Sequence, residues 1–341
     1  MTDASVPDAV CPACGEPVLP GDRFCESCGA EVGPAAEARA VCAHCGERAE
    51  IVEGYCSLCG MKQPSPRDHL EQSWPGVGAV TDKGRTHHRN EDAMAVIVGT
   101  GFVVAVVCDG TSTSADSDKA SQAAADAAAA VLAGGGPEDA DFAGAYEAAR
   151  KSVLAMPYEP NPALDPPTCT YLAAVVTDDD VVLATLGDCR SYWVADGEAR
   201  LLTADDSWST EQIARGAMSV EEAMAHPQGH AITRWISADA DPQWRPTLTR
   251  FEVPGSGRLI LCSDGLWNYM LQPETVAAEV ANLAGAAGAA EADGTERADG
   301  AEADPLALAR HLTTFANESG GHDNITVVVV DLPLKGGATE A

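Results

Sequence analysis

The sequence predicts two unlike parts, a small module held together by metal and then a larger domain of mixed helix and strand (α+β). Three observations carry that division. Eight of the twelve cysteines lie in the first 59 residues, as four C-x-x-C pairs. Further on, four segments set an aspartate beside an apolar run: Cys108-Asp109-Gly110, Gly187-Asp188, Ser263-Asp264-Gly265 and His322-Asp323-Asn324. Between them stand stretches of helical length, among them the alanine-rich residues 119–133 and residues 305–317. The 341 residues, 45% hydrophobic, suffice for one large core plus a small module.

Net charge is −31. Such a surface repels nucleic acid and anionic lipid, which excludes bulk DNA or RNA as the expected substrate. No apolar run approaches the roughly 20 residues of a membrane span. Residues 1–10 lack a basic start and an apolar h-region, so no secretory signal is read and a cytoplasmic protein is expected.

Residues 11–60 contain an internal repeat. Cys11-Pro-Ala-Cys14-Gly leads to Cys25-Glu-Ser-Cys28-Gly, and Cys42-Ala-His-Cys45-Gly leads to Cys56-Ser-Leu-Cys59-Gly, with ten residues between the pairs of each copy. Each C-x-x-C-G is a tight knuckle that points two thiolates at one ion, and four thiolates suit tetrahedral Zn²⁺. In so short a segment the metal replaces a core. Two structural zinc ions are therefore expected, each on four cysteines, with His44 outside the shell. Residues 1–68 carry five Lys/Arg against eleven Asp/Glu, so a protein partner is expected for these ribbons and no nucleic acid. The lone Cys108, Cys169, Cys189 and Cys262 read as buried thiols. The expected boundaries are tandem ribbons over 1–62, a Pro-containing linker over 63–73, the large domain over 74–334 and a tail over 335–341.

In the large domain, residues 76–82 enter a polar, basic loop that closes on Asn90-Glu91-Asp92, and residues 94–98 resume a strand. The run 102–108 is apolar and β-branched, as a strand buried on both faces should be. It ends on Asp109, and the glycine after it reads as a turn with an open carbonyl. A carboxylate and a carbonyl are hard oxygen ligands of the kind Mg²⁺ and Mn²⁺ take. Asp116 or Ser117 is expected to cap the alanine helix, and residues 142–156 form a second helix on the same side. Strands follow over 170–176, 181–187 and 190–194. Residues 208–225 read as a polar helix, 258–262 as a strand, 274–283 and 305–317 as helices, and 325–334 as the final strand. The Ala/Gly/Glu/Asp segment 284–304 reads as a disordered insertion.

These blocks resemble the metal-dependent protein phosphatases of type 2C. Asn90-Glu91-Asp92 and the strand ending Asp109-Gly110 open the pattern. Thr168-Cys-Thr170, Leu186-Gly-Asp-Cys-Arg190, Leu202-Thr-Ala-Asp-Asp-Ser207, Ile232-Thr-Arg234, Leu261-Cys-Ser-Asp-Gly-Leu266 and Gly321-His-Asp-Asn-Ile-Thr-Val327 follow in family order. The ribbons in turn resemble tandem ribbons appended to bacterial signalling proteins. The phosphatase resemblance implies a four-layer αββα sandwich of two antiparallel sheets with helices outside. It implies two to three Mn²⁺ or Mg²⁺ ions, two of them sharing a water. Asp109 would bridge that pair, with the Gly110 carbonyl on one metal and Asp264 and Asp323 completing the other. Glu91 and Asp92 would act through bound water, Asp188 would serve a third, weaker metal, and Asn324 would shape the loop that presents Asp323.

The implied reaction is hydrolysis of phosphoserine or phosphothreonine on proteins, in a Ser/Thr kinase pathway and without a phosphoenzyme. One departure bears on it. Where the family usually has a phosphate-gripping arginine, four residues before the glutamate, this chain has His87, flanked by Arg85 and Arg89. Histidine lacks the bidentate fork. Phosphate binding is expected from Arg85, His87 and Arg89. The alternative reading is a catalytically weak pseudophosphatase, or a scaffold that docks through its ribbons.

Overall fold

The computed structural model describes residues 9–11, 13–18, 25, 27–30, 40–52, 54–160, 162–291 and 304–335. The short spacer expected between the ribbons over 33–40, all but Ala40, the stretch 292–303 of the predicted insertion, the tail from 336 and most of the N-terminal stretch 1–10 lie outside them. The chain divides into two compact units, residues 1–65 and 66–341.

In the first unit, two-residue strands pair antiparallel: Ala9–Val10 with Pro17–Val18, Arg48–Ala49 with Ala40–Val41, and Ile51–Val52 with Tyr55–Cys56. Its buried clusters consist of little more than cysteine, with Ala49 beside Cys42 and Cys56. Among the described residues no larger apolar core forms, which is what so short a unit would lead one to expect.

In the second unit eleven strands form two antiparallel sheets. In chain order they are β1 (His69–Trp74), β2 (Val77–Asp82), β3 (Ala93–Gly99), β4 (Phe102–Cys108), β5 (Tyr171–Val176), β6 (Asp180–Leu186), β7 (Arg190–Ala195), β8 (Glu198–Leu201), β9 (Thr247–Glu252), β10 (Gly257–Cys262) and β11 (Ile325–Leu332). One sheet has the order β9-β6-β5-β4-β3, the other β8-β7-β10-β11-β2-β1. The helices are α1 (Ser117–Gly134), α2 (Phe142–Leu154), α3 (Trp208–Ala214), α4 (Val220–Met224), α5 (Asp264–Trp267), α6 (Pro273–Glu291) and α7 (Pro305–Glu318).

Side-chain parity makes the layers. Successive residues of a strand face opposite ways. On β4, Val103, Ala105 and Val107 join the core between the sheets, where they meet Leu259, Leu261, Val328 and Val330. Val104, Val106 and Cys108 face the other way, onto the buried face of α1 and α2. The outer face of the second sheet, with Ile260, Val327 and Val329, packs on Leu308, Leu312 and Ala316 of α7. Three cores between four layers account for central strands with no polar face. The alanines of α1 serve the same end, since Ala120, Ala124, Ala125 and Ala128 are wholly buried and let the helix lie close to its neighbours.

Several expectations are corrected. The linker read over 63–73 ends at Ser65: Pro66–Asp68 is a 3₁₀ turn and β1 follows as a sheet edge. Edge strands carry polar residues because one side of them is solvated, and so β1, β8 and β9 escape the apolar-run signal. The predicted insertion is helical up to Glu291, as the continuation of α6. The polar helix read over 208–225 is two short helices, broken around Gly216, which has a left-handed φ of 67°. Neither Asp116 nor Ser117 caps α1 with its side chain, for Ser117 is engaged elsewhere, as the site shows.

Candidate active site and metal centres

The two cysteine quartets are built by local turns. In each knuckle the amide after the second cysteine closes on the first, as Gly15 N donates to Cys11 O and Gly46 N to Cys42 O at 2.8 and 2.9 Å. Within Cys11, Cys14, Cys25 and Cys28, and within Cys42, Cys45, Cys56 and Cys59, all four sulfurs lie within 4.8 Å of one another. The Cys11–Cys28, Cys14–Cys25, Cys42–Cys59 and Cys45–Cys56 sulfurs stand 3.7, 3.6, 3.6 and 4.0 Å apart. Four sulfurs at the Zn–S bond length around a tetrahedral ion would be about 3.8 Å apart. The thiols also cannot all ionise unaided. The Cys45 and His44 amides hold the Cys42 thiol down at about 6. Although the Met61 amide favours the Cys59 thiolate, burial and the neighbouring sulfurs push that thiol up to about 12. A dication resolves that conflict, so the donor set fits zinc. His44 is exposed, outside the quartet.

In the second unit the aspartates stand at the ends of the central strands. Asp109 follows β4 and is fastened by Thr170, whose hydroxyl accepts from Asp109 N at 2.9 Å and whose N–H donates to Asp109 O at 2.8 Å. That is a physical role for the second threonine of the Thr168–Thr170 block. Gly110 is required by crowding rather than by a turn: a Cβ there would lie 2.6 Å from Glu91 O and 2.7 Å from Ser117 O. Gly265, after Asp264, is pinned in the same way against Asn324 O, 2.0 Å from where its Cβ would be. Each Asp-Gly thus lets two distant segments meet.

Asn324 joins the loops. Its Oδ1 accepts from Glu91 N at 2.7 Å, and its Nδ2 donates to Lys83 O at 2.8 Å and Arg89 O at 3.0 Å. Asn90 is buried and donates to Arg67 O and Thr81 Oγ1. Ser263 donates to Asp92 Oδ2 at 2.6 Å. Two further motif blocks turn out to be ion pairs: Arg190 grips Asp205 at 2.7 Å while lying over the Trp267 ring, and Arg234 meets Asp206 at 3.0 Å.

The carboxylates divide electrostatically. Burial raises Asp109 and Asp188 well above the ordinary range, and neighbouring aspartates add to the effect. Asp92 and Asp264 are each raised to about 7, by burial first and then by like charge, Asp323 included. Glu91 goes the other way. Burial opposes its charge, but His87, Ser117, Ser112 and Arg89 outweigh burial and hold it at about 2. Ser117 Oγ donates to Glu91 Oε1 at 2.6 Å and Ser112 Oγ to Oε2 at 2.8 Å. Sequence reasoning missed both serines. The hydroxyl-rich segment 111–117 was their signal, but nothing in its spacing pointed at Glu91.

Asp92 Oδ1 and Asp264 Oδ1 are buried without a hydrogen-bond partner. Among the described residues no lysine or arginine pairs with Asp92, Asp109, Asp264 or Asp323. No three carboxylates there are packed as tightly as the sulfurs. Buried acidic oxygens lacking any protein cation fit hard divalent ions. Asp323 is the most open, its side chain 42% exposed, and His87 Nε2 lies 3.2 Å from it. His87 Nδ1 faces Glu91 at 3.6 Å, so its partners raise it above the usual histidine value. Arg89 is engaged by Glu91 at 3.1 Å and Asp118 at 3.6 Å. The Arg85 guanidinium makes no ion pair among the described residues, and its stem lies against Gly321. Of the histidines that follow α4, His226 stacks on Trp208 at 4.2 Å and His230 is exposed. No described helix is long and apolar enough to cross a membrane.

A family model described as protein phosphatase 2C matches residues 82–297, and a zinc-ribbon domain model matches residues 10–32. A serine/threonine phosphatase stp of Listeria monocytogenes is 30% identical over 268 residues, covering 75% of this chain and 96% of its own. The serine/threonine protein phosphatase PstP of Mycobacterium tuberculosis is 30% identical over 259 residues, 74% of this chain and 44% of that one. Among solved structures, the M. tuberculosis phosphatase PstP/Ppp superposes with a TM-score of 0.57 at 27% identity, over 75% of this chain and 97% of its own. A PstP catalytic domain in complex with 2 manganese ions gives 0.56 at 27% identity, over 75% and 96%.

Proposed function

The chain belongs to the protein phosphatase 2C family and is a metal-dependent serine/threonine phosphatase, and from that premise we propose how its residues divide the work. Asp109, the Gly110 carbonyl, Asp264 and Asp323 hold two divalent cations, Mn²⁺ or Mg²⁺. Asp188 serves a third, and Glu91 and Asp92 act through water. The supporting observation is the set of buried aspartates whose protons are held up by burial first and then by mutual repulsion, two of them with an oxygen that nothing among the described residues satisfies. Cations there supply Lewis acidity, neutralising charge on phosphoryl oxygens and lowering the pKa of water.

The remaining groups position and bind. Thr170 and Asn324 fix the backbone beneath Asp109, Glu91 and Asp323. Glu91 stays ionised through two hydroxyl donors and Arg89. Arg85 is the phosphate grip: it is the guanidinium of this loop left without a protein carboxylate, whereas His87 and Arg89 are engaged. Substrates are phosphoserine and phosphothreonine proteins in a cytoplasmic kinase-linked pathway. Each quartet holds one Zn²⁺, and the ribbons dock a protein partner.

The test is hydrolysis of p-nitrophenyl phosphate and of phosphoserine peptides with added Mn²⁺. Turnover that appears with Mn²⁺ and vanishes in EDTA supports the reading. Inactivity with bound metal would instead favour the scaffold reading, which draws on the engaged His87 in place of a free arginine.

A further inference from the structure

A cleft of about 330 Å³ adjoins the catalytic loop and has no part in metal binding. Thr111, directly after Gly110, and Thr113 form one side. Asp165, Ile232, Trp235 and Asp239 line it as well. We propose that this cleft is a specificity site for a lysine or arginine side chain close in sequence to the phosphorylated residue. The inference rests on the phosphatase reading and names the class of protein substrate.

The walls are firmly built. Ala115 N donates to Asp165 O at 2.9 Å, Asp165 N to Thr113 O at 3.0 Å and Thr111 N to Thr168 O at 3.3 Å. Across the cleft, backbone bonds between Cys169 and Ile236 run in both directions at 3.1 and 2.9 Å. Trp235 is held edge-on by Trp244, with ring centres 5.3 Å apart, and its indole N–H points to Asp239 at 3.4 Å. The cleft therefore has a fixed aromatic side chain and two exposed carboxylates in its lining, and no lysine or arginine lines it. Among the described residues the Asp165 carboxylate receives the Thr113 hydroxyl, at 3.0 Å, and makes no ion pair. A cation held at an indole within a cleft that also carries two carboxylates is favourably placed. An acidic or apolar side chain would meet like charge or leave the carboxylates desolvated. The net charge of −31 would draw in basic segments in the same sense.

The test compares phosphoserine peptides that differ at flanking positions, with Arg, Ala or Glu on either side. For the Mn²⁺-loaded full chain, kcat/KM should be about tenfold higher for the best arginine peptide than for its glutamate counterpart. In Asp165→Asn/Asp239→Asn that ratio should fall to about twofold, with p-nitrophenyl phosphate turnover unchanged. Trp235→Leu should lower it as well. The control Glu198→Gln/Glu274→Gln removes equal charge from the separate β8–α6 face and should leave the ratio intact. Equal kcat/KM for arginine and glutamate peptides, or a preference that survives the double cleft variant or is lost equally in the control, overturns the proposal. Failure of p-nitrophenyl phosphate turnover itself would count against the phosphatase reading instead.

Discussion

The two kinds of proposed metal centre would reach their ligands by opposite routes. The cysteines of a quartet are local: Cys11 meets Cys28 across 17 residues and Cys42 meets Cys59 across 17. The carboxylate centre is global, and the bond from Glu91 N to the Asn324 side chain closes 233 residues of chain. Loop closure costs more for the second, though only logarithmically in length. Its real requirement is that two sheets and three cores form first. A module as short as a ribbon is expected to need its ion in order to fold, whereas the second unit has three apolar cores to fold around.

The largest effect expected from this contrast is at Asp109. Asp109→Asn should lower kcat with saturating Mn²⁺ by about a thousandfold or more, while thermal unfolding without metal stays unchanged or moves upward because one like charge is gone. Full turnover in that variant would break the assignment of the centre.

Chelation should separate the two units. A zinc-selective chelator should release two Zn²⁺ per chain, measured colorimetrically, and expose residues 1–65 to limited proteolysis, since apparent binding energies of about 10 kcal/mol sustain such modules. Residues 66–291 and 304–335 should resist cleavage in the same digest. Protection of both units after complete metal removal would contradict a metal-built ribbon.

Asp188→Ala should slow turnover by about tenfold with two metal ions still bound by calorimetry, which separates a third site from the main pair. A loss equal to that of Asp109→Asn would place Asp188 in the main pair instead.

The pH dependence of metal-free stability carries a definite sign. Asp92 and Asp264 are held near 7, above the ordinary carboxylate value of about 4. The folded state then binds protons that the unfolded state releases, so their contribution is whole below about pH 4 and lost as pH rises through 7. The raised His69 and His87 act in the same direction. Metal-free Tm should therefore drop by roughly 5 °C between pH 5 and pH 8, and Mn²⁺ should remove most of the drop. The opposite sign applies to Glu91, whose contribution fades only as pH falls toward 2. A flat or rising Tm across that window would be evidence against repulsion at the site.

Deleting residues 1–65 should have the smallest effect, with turnover on p-nitrophenyl phosphate within about twofold of the full chain because each unit is compact by itself. A larger loss would mean that the ribbons support catalysis directly.

Legibility in the sequence follows the same contrast. Central strands such as β4 and β11 are buried on both faces, so they read as unbroken apolar runs. The edge strands β1, β8 and β9 mix polar and apolar residues and are set by their neighbours, so no run marks them. The aspartates were visible because each sits next to an end of an apolar strand, Asp323 before β11 and the others just after theirs. Their partners were not: Ser112, Ser117 and Ser263 are ordinary serines until folding carries them to Glu91 and Asp92.

By itself the sequence determined the cysteine quartets, since ligands a few residues apart are placed by local turns, and it determined the central strands and the aspartates that end them. Only the tertiary structure decided which carboxylates lose their ordinary acidity, which arginine stays unpaired and which serines hold Glu91. Those properties depend on burial and on distances between segments far apart in the chain, and neither exists before the sheets have packed.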